Sequence, residues 1–386
     1  MTVPGTSGLA ERLRHDLADR LVLNGCLRDP GWREAVESVA REPFLGSAIA
    51  GATGYGDRWE VARREEMGED EWLDLVYRDE TWVTQVDGVM VDAARGPALG
   101  APTSSSTLPG LVVRMLEAAG IREGDRVLEI GTGTGYSTAL MCHRLGDEAV
   151  TSIEYDPAVA ARARDALTAA GYAPALVVGD GLAGYEGNAE YDRLIATCSV
   201  RYIPMPWVWQ VRGGGTITAP LSGWMGGVAF AHLTLGDDGT AEGRFLEDDV
   251  YFMTARPHGP PPMPAPLLGI GDAGRSRIDP RVLDEAAGLF AGQLGAPSAM
   301  KLGSGEEVAL LDVATGSQAT VRPDPAGGWT VCQHGPLRLW DAVEDAVLPW
   351  RGAGSPHQSA YGLTVSRERQ RVWLGEPGGP SWDLPV

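Results

Sequence analysis

The chain has 386 residues, long for a single domain, and 44% of them are hydrophobic, which supplies a sizeable core and argues against wholesale disorder. A formal net charge of −20 argues against nucleic acid or an anionic membrane as main partner. It favours a basic peptide, although an acidic surface also serves solubility alone. Cys26, Cys142, Cys198 and Cys332 lie far apart without C-x-x-C spacing, and the histidines are scattered. Reduced thiols, a cytoplasmic location and no metal site are the expectations.

Met1 to Arg20 alternates charged and apolar positions and lacks the apolar stretch of a secretory signal; no run of eighteen apolar residues follows anywhere. Leu9 to Phe44 predicts two helices, with Leu13, Leu17 and Leu21 and then Trp32, Val36 and Val39 at helical spacing. Residues 45–70, glycine-rich and then charged, read as an exposed loop. Trp72 to Val91 carries apolar and β-branched residues, and part of it is expected to form a strand pair near the entrance of the next domain. Residues 1–100 are thus a helical entry segment.

From Pro109 to Pro220 strand and helix alternate, the pattern of a doubly wound parallel sheet. Leu111 to Ala119 is a helix, Arg126 to Ile130 a strand and Ser137 to Leu145 a helix. Ala149 to Glu154 is the next strand, and Pro157 to Ala170 a helix opened by Asp156 as cap. Ala175 to Val178 and Arg193 to Thr197 are strands, Met205 to Gln210 a helix, and Thr216 to Ala219 a strand. Gly226 to Leu235 and Gly243 to Ala255 close residues 101–256 as an antiparallel pair. The proline-rich run 257–266 reads as a stiff linker. Residues 267–386 form a smaller α+β domain. Its helices are expected at Arg281 to Leu294 and Leu337 to Val347, and its strands at Glu307 to Val313, Gln318 to Arg322, Trp329 to Gln333 and Tyr361 to Trp373.

In an open parallel sheet, ligands bind beyond the carboxyl ends of the strands. There the strand from Val127 runs into Gly131-Thr132-Gly133-Thr134-Gly135-Tyr136, where glycines admit a ligand close to the backbone. The dinucleotide fingerprint needs a third glycine where Tyr136 stands. The G-x-G-x-G spacing instead resembles that of S-adenosylmethionine (SAM) methyltransferases. Glu154, followed by Tyr155, ends the second strand about 20 residues on, where a carboxylate can take both ribose hydroxyls. Asp180, within Gly179-Asp180-Gly181, can accept from an adenine amino group or make an ordinary turn. Thr197 follows the fourth strand. Glu129 either fixes the loop or meets the positive end of the cofactor.

Gly179-Asp-Gly-Leu-Ala-Gly-Tyr185, followed by Ala189-Glu-Tyr-Asp-Arg-Leu194, resembles the signature of protein-L-isoaspartate O-methyltransferases, with Glu190 where that family usually has proline. Val76 to Glu80, Arg201 to Pro206 and Gly213 to Leu221 resemble its other segments, so the likeness covers roughly residues 35–255. It implies a class I SAM methyltransferase sheet, SAM as cofactor, and a peptide or protein substrate bearing aspartate or isoaspartate. The family's T-x-S-x-P motif falls on Ser105-Ser106-Thr107-Leu108-Pro109. Ser105 then stands for its threonine and Thr107 for its active-site serine, with Ser106 between them. These hydroxyls would hold the substrate carboxylate, or else cap the following helix.

A carboxylate is already anionic at neutral pH, so its methylation needs placement and exclusion of water rather than a general base. The resulting ester can be displaced by a neighbouring backbone amide to give a succinimide. Two substrates fit: isoaspartate in damaged protein, or an ordinary aspartate in a cyclised ribosomal peptide. The size of the chain resembles the enlarged methyltransferases that accompany ATP-grasp peptide macrocyclases, which favours the peptide. A NAD-dependent oxidoreductase and a catalytically silent peptide-binding scaffold are the competing readings.

Overall fold

The computed structural model describes residues 6–54, 57–248, 250–263, 265–267 and 269–386. Parts of the expected entry segment (Met1–Gly5), loop (Tyr55, Gly56), closing strand (Asp249) and linker (Pro264), and Leu268 beyond it, lie outside the described residues. Internal packing divides the chain into two units: one running to Thr197 together with Gln210–Thr218, the other Cys198–Trp209 together with Ala219–Val386.

The first unit begins with helices Thr6–Leu23 and Pro30–Ser38. Asp29 starts the second, its Oδ1 accepting from Gly31 N at 2.7 Å and Trp32 N at 3.3 Å, with Pro30 at the first helical position. Residues 45–70 are not the loop that their glycines suggested. They hold the antiparallel strands Ala48–Ala52 and Arg58–Arg63, with Ala48, Ile49 and Ala50 buried. The small residues are there for packing, since a Cβ on Gly51 would stand 3.4 Å from the Trp82 ring. The strand pair expected in part of Trp72–Val91 is Trp82–Val86 with Val89–Met90, preceded by a helix. Glu69–Val76 buries Trp72, Leu73 and Val76 on one helical face, and only then come strands Trp82–Val86 and Val89–Met90. Trp82–Val86 also pairs with a strand the sequence reading missed, Pro102–Ser106.

The larger sheet of this unit is parallel, in the order Val211–Ser222 (its first part), Tyr191–Ala196, Val127–Ile130, Val150–Glu154, Ala175–Val178. Every residue of Val127–Ile130 and Val150–Glu154 is buried, as both faces of such a sheet are covered. Helices Tyr136–Leu145 and Pro157–Ala169 follow the two strands. The cap on the second is as expected, Asp156 Oδ1 accepting from Ala158 N at 2.8 Å and Val159 N at 3.3 Å. Val127–Ile130 is first in the chain order of these parallel strands but central in space. Strand order therefore reverses beside it, and its carboxyl end is the topological switch point. The fold is the doubly wound α/β class expected.

In the second unit Val228–Leu235 and Ala241–Phe245 form an antiparallel hairpin, and Ala241–Phe245 pairs onward with Tyr361–Val365. The single expected run Tyr361–Trp373 is itself a hairpin, Tyr361–Val365 with Gln370–Leu374. A second sheet runs Asp272–Arg275, Trp329–His334, Ser317–Pro323, Glu307–Asp312, Ala299–Ser304. Helices Ala286–Gly295 and Leu339–Gly352 pack closely because Gly295 lacks a Cβ, which would lie 2.1 Å from the Ala342 carbonyl oxygen. Among the described residues no helix is long and apolar enough to cross a membrane.

Candidate active site at the switch point

At the switch point the chain turns through Gly131, Gly133 and Gly135, all at positive φ (97°, 55° and 92°), a backbone region that costs glycine little. Gly131 N and Thr132 N donate to Ile153 O at 2.8 and 3.2 Å, tying the loop to the neighbouring strand. Glu154 closes it from the other side. One carboxylate oxygen accepts from Gly133 N at 2.9 Å, and the other accepts from Asp156 N at 2.9 Å. A carboxylate oxygen accepts more than one hydrogen bond, and a vicinal diol is the kind of donor pair that suits Glu154 at this strand end. Thr197 anchors the remaining edge: its N–H donates to Ile130 O at 2.9 Å and its hydroxyl bonds Ile130 O at 3.1 Å and Gly131 O.

Beneath the loop sits Glu129, fully buried. Its carboxylate accepts hydrogen bonds from Ser137 Oγ, from Thr138 Oγ1 at 2.5 Å and from Ser152 Oγ at 2.7 Å. Burial pushes its pKa above the ordinary carboxylate value, and the three hydroxyls pull it back only partly. Thr132 Oγ1 lies 2.6 Å from Ser152 Oγ and extends the network into the loop. Of the two roles expected for Glu129, holding the loop is the one its bonds express. Asp180 is exposed and its Oδ1 accepts from Leu182 N at 2.9 Å, a turn that leaves the second oxygen for a ligand. Gly179 N donates to Glu154 O at 2.9 Å, which brings this turn beside the second strand end. A Cβ on Gly181 would fall 2.5 Å from Ile130 Cγ2, so glycine is sterically required there. Tyr155 is 47% exposed.

The hydroxyl run meets this loop through its backbone. A Cβ on Gly133 would stand 3.5 Å from Ser105 O, the nearest atom to it. Ser105 and Thr107 are half-buried, and among the described residues their hydroxyls take no hydrogen bond. They do not cap the helix Pro109–Ala118. That end is served instead by Thr81 Oγ1, which accepts from Leu108 N at 3.0 Å, and by Asp79 Oδ1, which accepts from Gly110 N at 2.7 Å. Ser106 is only 2% exposed, and its oxygen faces Arg41.

Two side chains depart from expectation. Tyr136 was placed among the ligand contacts, but it is buried, its ring centroid 5.8 Å from that of Phe44 and 5.8 Å from the Arg41 guanidinium carbon. Burial pushes its hydroxyl up to about 12. An aromatic side chain at the first turn of that helix packs inward, and only its backbone belongs to the loop. Arg41 was missed altogether. It is fully buried, and Nη1 donates to Val76 O at 2.8 Å and Arg78 O at 2.9 Å. Nη2 donates to Glu80 O at 3.1 Å, Thr107 O at 3.2 Å and Ser106 Oγ at 3.4 Å. Burial without a carboxylate partner lowers its pKa to about 10. The local sequence Ala40-Arg41-Glu42 does not distinguish it from a surface arginine. Among the described residues no cluster of three or more His, Cys, Asp or Glu could hold a metal ion.

Residues 65–253 match the family model described as Protein-L-isoaspartate(D-aspartate) O-methyltransferase (PCMT). Over 225 residues the chain is 32% identical to protein-L-isoaspartate O-methyltransferase 2 of Rhodopseudomonas palustris (strain HaA2), covering 58% of this chain and 97% of that relative. The match to the enzyme of Ignicoccus hospitalis is 44% identical over 115 residues, 29% of this chain and 54% of the relative. The chain thus spans about half the length of some of the curated relatives it matches. A solved structure named protein-L-isoaspartate O-methyltransferase shares the fold at a TM-score of 0.55 and 20% identity, covering 94% of this chain and 100% of that one. With one relative matched along nearly its whole length, the chain belongs to the protein-L-isoaspartate(D-aspartate) O-methyltransferase family.

Proposed function

We propose that the chain is a SAM-dependent carboxyl O-methyltransferase that esterifies an aspartyl or isoaspartyl side chain of a peptide or protein in the cytoplasm. The observation that carries the reading is the approach of Ser105 O, 3.5 Å from where a Cβ on Gly133 would stand: the strand end that bears Ser105, whose hydroxyl has no partner among the described residues, passes the glycine loop at the switch point. The donor set fits SAM. Glu154 would take the ribose diol, Asp180 the adenine amino group, and the edge at Gly131–Gly135 and Thr197 the rest. SAM held there would supply an electrophilic methyl group to a substrate carboxylate oxygen, with S-adenosylhomocysteine as leaving group and no proton released. Ser105 and Thr107 orient that carboxylate by donating to it. The buried Ser106 and the Arg41 guanidinium hold their strand end in place. Ionisation of the substrate carboxylate at neutral pH makes a general base unnecessary.

The finer reading assigns an ordinary aspartate in a cyclised ribosomal peptide, by way of a methyl ester that collapses to a succinimide. It rests on Thr107 in the place of the family's serine, because the added methyl reshapes the carboxylate seat. Residues 267–386 do not favour it over isoaspartate repair, since a structure named as an isoaspartate methyltransferase shares the fold over 94% of the chain. Paired peptides, identical except for aspartate or isoaspartate at one position, separate the two. Mass spectrometry should show methyl gain and then loss of methanol on the aspartyl peptide. Modification of the isoaspartyl peptide alone would assign repair, and no methyl transfer to either would end the carboxyl-methylation reading.

A further inference from the structure

A cavity of about 360 Å³ opens in the first unit between the helix Pro157–Ala169 and the segment around Phe44 and Leu45. Val159, Arg162, Ala166 and Ala169 line it from one face of that helix, at the spacing of helical neighbours. Its far end reaches Gly133, Thr134 and Ser104, the residue before Ser105. Thr84 Oγ1 donates to Ser104 Oγ at 3.3 Å, and the rest of the interior offers chiefly apolar surface. Glu154, Asp180 and Thr197 do not line the cavity, which extends from the loop away from the residues assigned to the adenosyl group. Its volume lies in the range that small ligands occupy.

The charge at its exposed end is unbalanced. Arg162 is paired with Asp92, and Asp165, also lining the cavity and exposed, makes no ion pair among the described residues. An aliphatic stem with a cationic head suits such a place, the methylenes lying on Phe44, Val159 and Ala166 while the charge reaches Asp165. We propose that this cavity is a specificity subsite for a lysine or arginine side chain of the peptide substrate, close in sequence to the residue that is esterified. The inference rests on the carboxyl-methylation reading for what the peptide is doing there, and on shared Gly133 and neighbouring Ser104 and Ser105 for the proximity. The excess of acidic over basic residues in the whole chain acts in the same direction.

The test uses the full chain and fluorescent peptides that carry one aspartate or one isoaspartate and differ at a neighbouring position: Lys, Ala or Glu. Peptide binding is read by anisotropy, methyl transfer by mass spectrometry and SAM affinity by calorimetry. The Lys peptide should bind about 5-fold more tightly than the Glu peptide, the scale of a partly exposed ion pair gained against one repelled. Asp165→Lys, an exposed substitution that leaves the core intact, should abolish or reverse that order with SAM affinity unchanged. Ala166→Trp should bring the Lys peptide down to the level of the Ala peptide. Equal binding across the panel, an order unaltered in Asp165→Lys, or a loss of SAM affinity in Ala166→Trp would overturn the subsite. Charge-dependent binding without methylation of any peptide would leave the subsite standing and refute the transfer reading instead.

Discussion

Replacing Arg41 by methionine tests whether a buried cation organises the candidate site. The guanidinium donates to the carbonyls of Val76, Arg78, Glu80 and Thr107 and to the Ser106 hydroxyl, over 2.8–3.4 Å. An orphaned buried acceptor costs about 1–3 kcal/mol, but of the four carbonyl bonds only that to Val76 is wholly buried, and water can reach the exposed residues Arg78 and Glu80. Methionine also removes the desolvation of a buried charge, so the net loss should resemble that of a broken buried ionic network, about 3–5 kcal/mol. Arg41→Lys keeps the charge, lacks the planar fork and should lose roughly half as much. In a thermal melt Arg41→Met should lower the first transition by on the order of 10 °C. Below that transition, kcat/KM for peptide should drop by more than 10-fold, because the backbone at Thr107 has lost its anchor. SAM affinity should stay within about 2-fold, since Arg41 bonds no residue assigned to the cofactor. A melting point and turnover like those of the parent protein would refute the reasoning, as would a loss confined to SAM affinity.

Thr107→Val keeps the shape and removes one donor; a hydrogen bond to a charged group is worth about 1.5–3 kcal/mol, so turnover should fall by roughly 10- to 100-fold with SAM affinity kept. Unchanged turnover would remove Thr107 from the site. Gly181→Ala drives a Cβ to 2.5 Å from Ile130 Cγ2. The overpacking should cost about 1–3 kcal/mol in urea unfolding and weaken SAM binding, and an unchanged urea midpoint would refute the steric reading. Glu129 carries a pH signature. Its pKa is raised by burial, so its contribution to stability is full below the unfolded carboxyl range and is lost as pH rises through the raised folded value. Urea midpoints taken from acid to neutral pH should decline through that window in the parent protein, and the same decline in Glu129→Gln would assign it to another group.

The legible part of the fold was the strand-and-helix alternation after Pro109. A parallel strand such as Ala175–Val178 is a short apolar run, and Asp156-Pro157 marks a helix start through local bonds. Residues 45–70 were illegible because Ala48 and Ala50 are buried against Val83, Val86, Val91 and Ala98, partners some thirty or more positions away, and owe their strand to no propensity of their own. Trp72–Val76 was ambiguous for another reason, since a short apolar run fits a buried strand and a helix face equally well. In the site, the glycine loop, Glu154 and Asp180 could be read because strand order and spacing dictate where they fall. Tyr136 could not, as only the packing of Phe44 and Arg41 turns its ring inward.

By itself the sequence determined the sheet, the turn that a ligand can approach and the family, because these follow from periodicity, glycine backbone freedom and motif spacing. Tertiary structure decided which side chains are available for chemistry. It bound the Glu129 carboxylate to three hydroxyls, left Ser105 and Thr107 unpartnered by giving their capping task to Thr81 and Asp79, and buried Arg41 beneath them. Each of those outcomes is a competition for hydrogen-bond partners among residues distant in the chain, and only the folded arrangement settles such a competition.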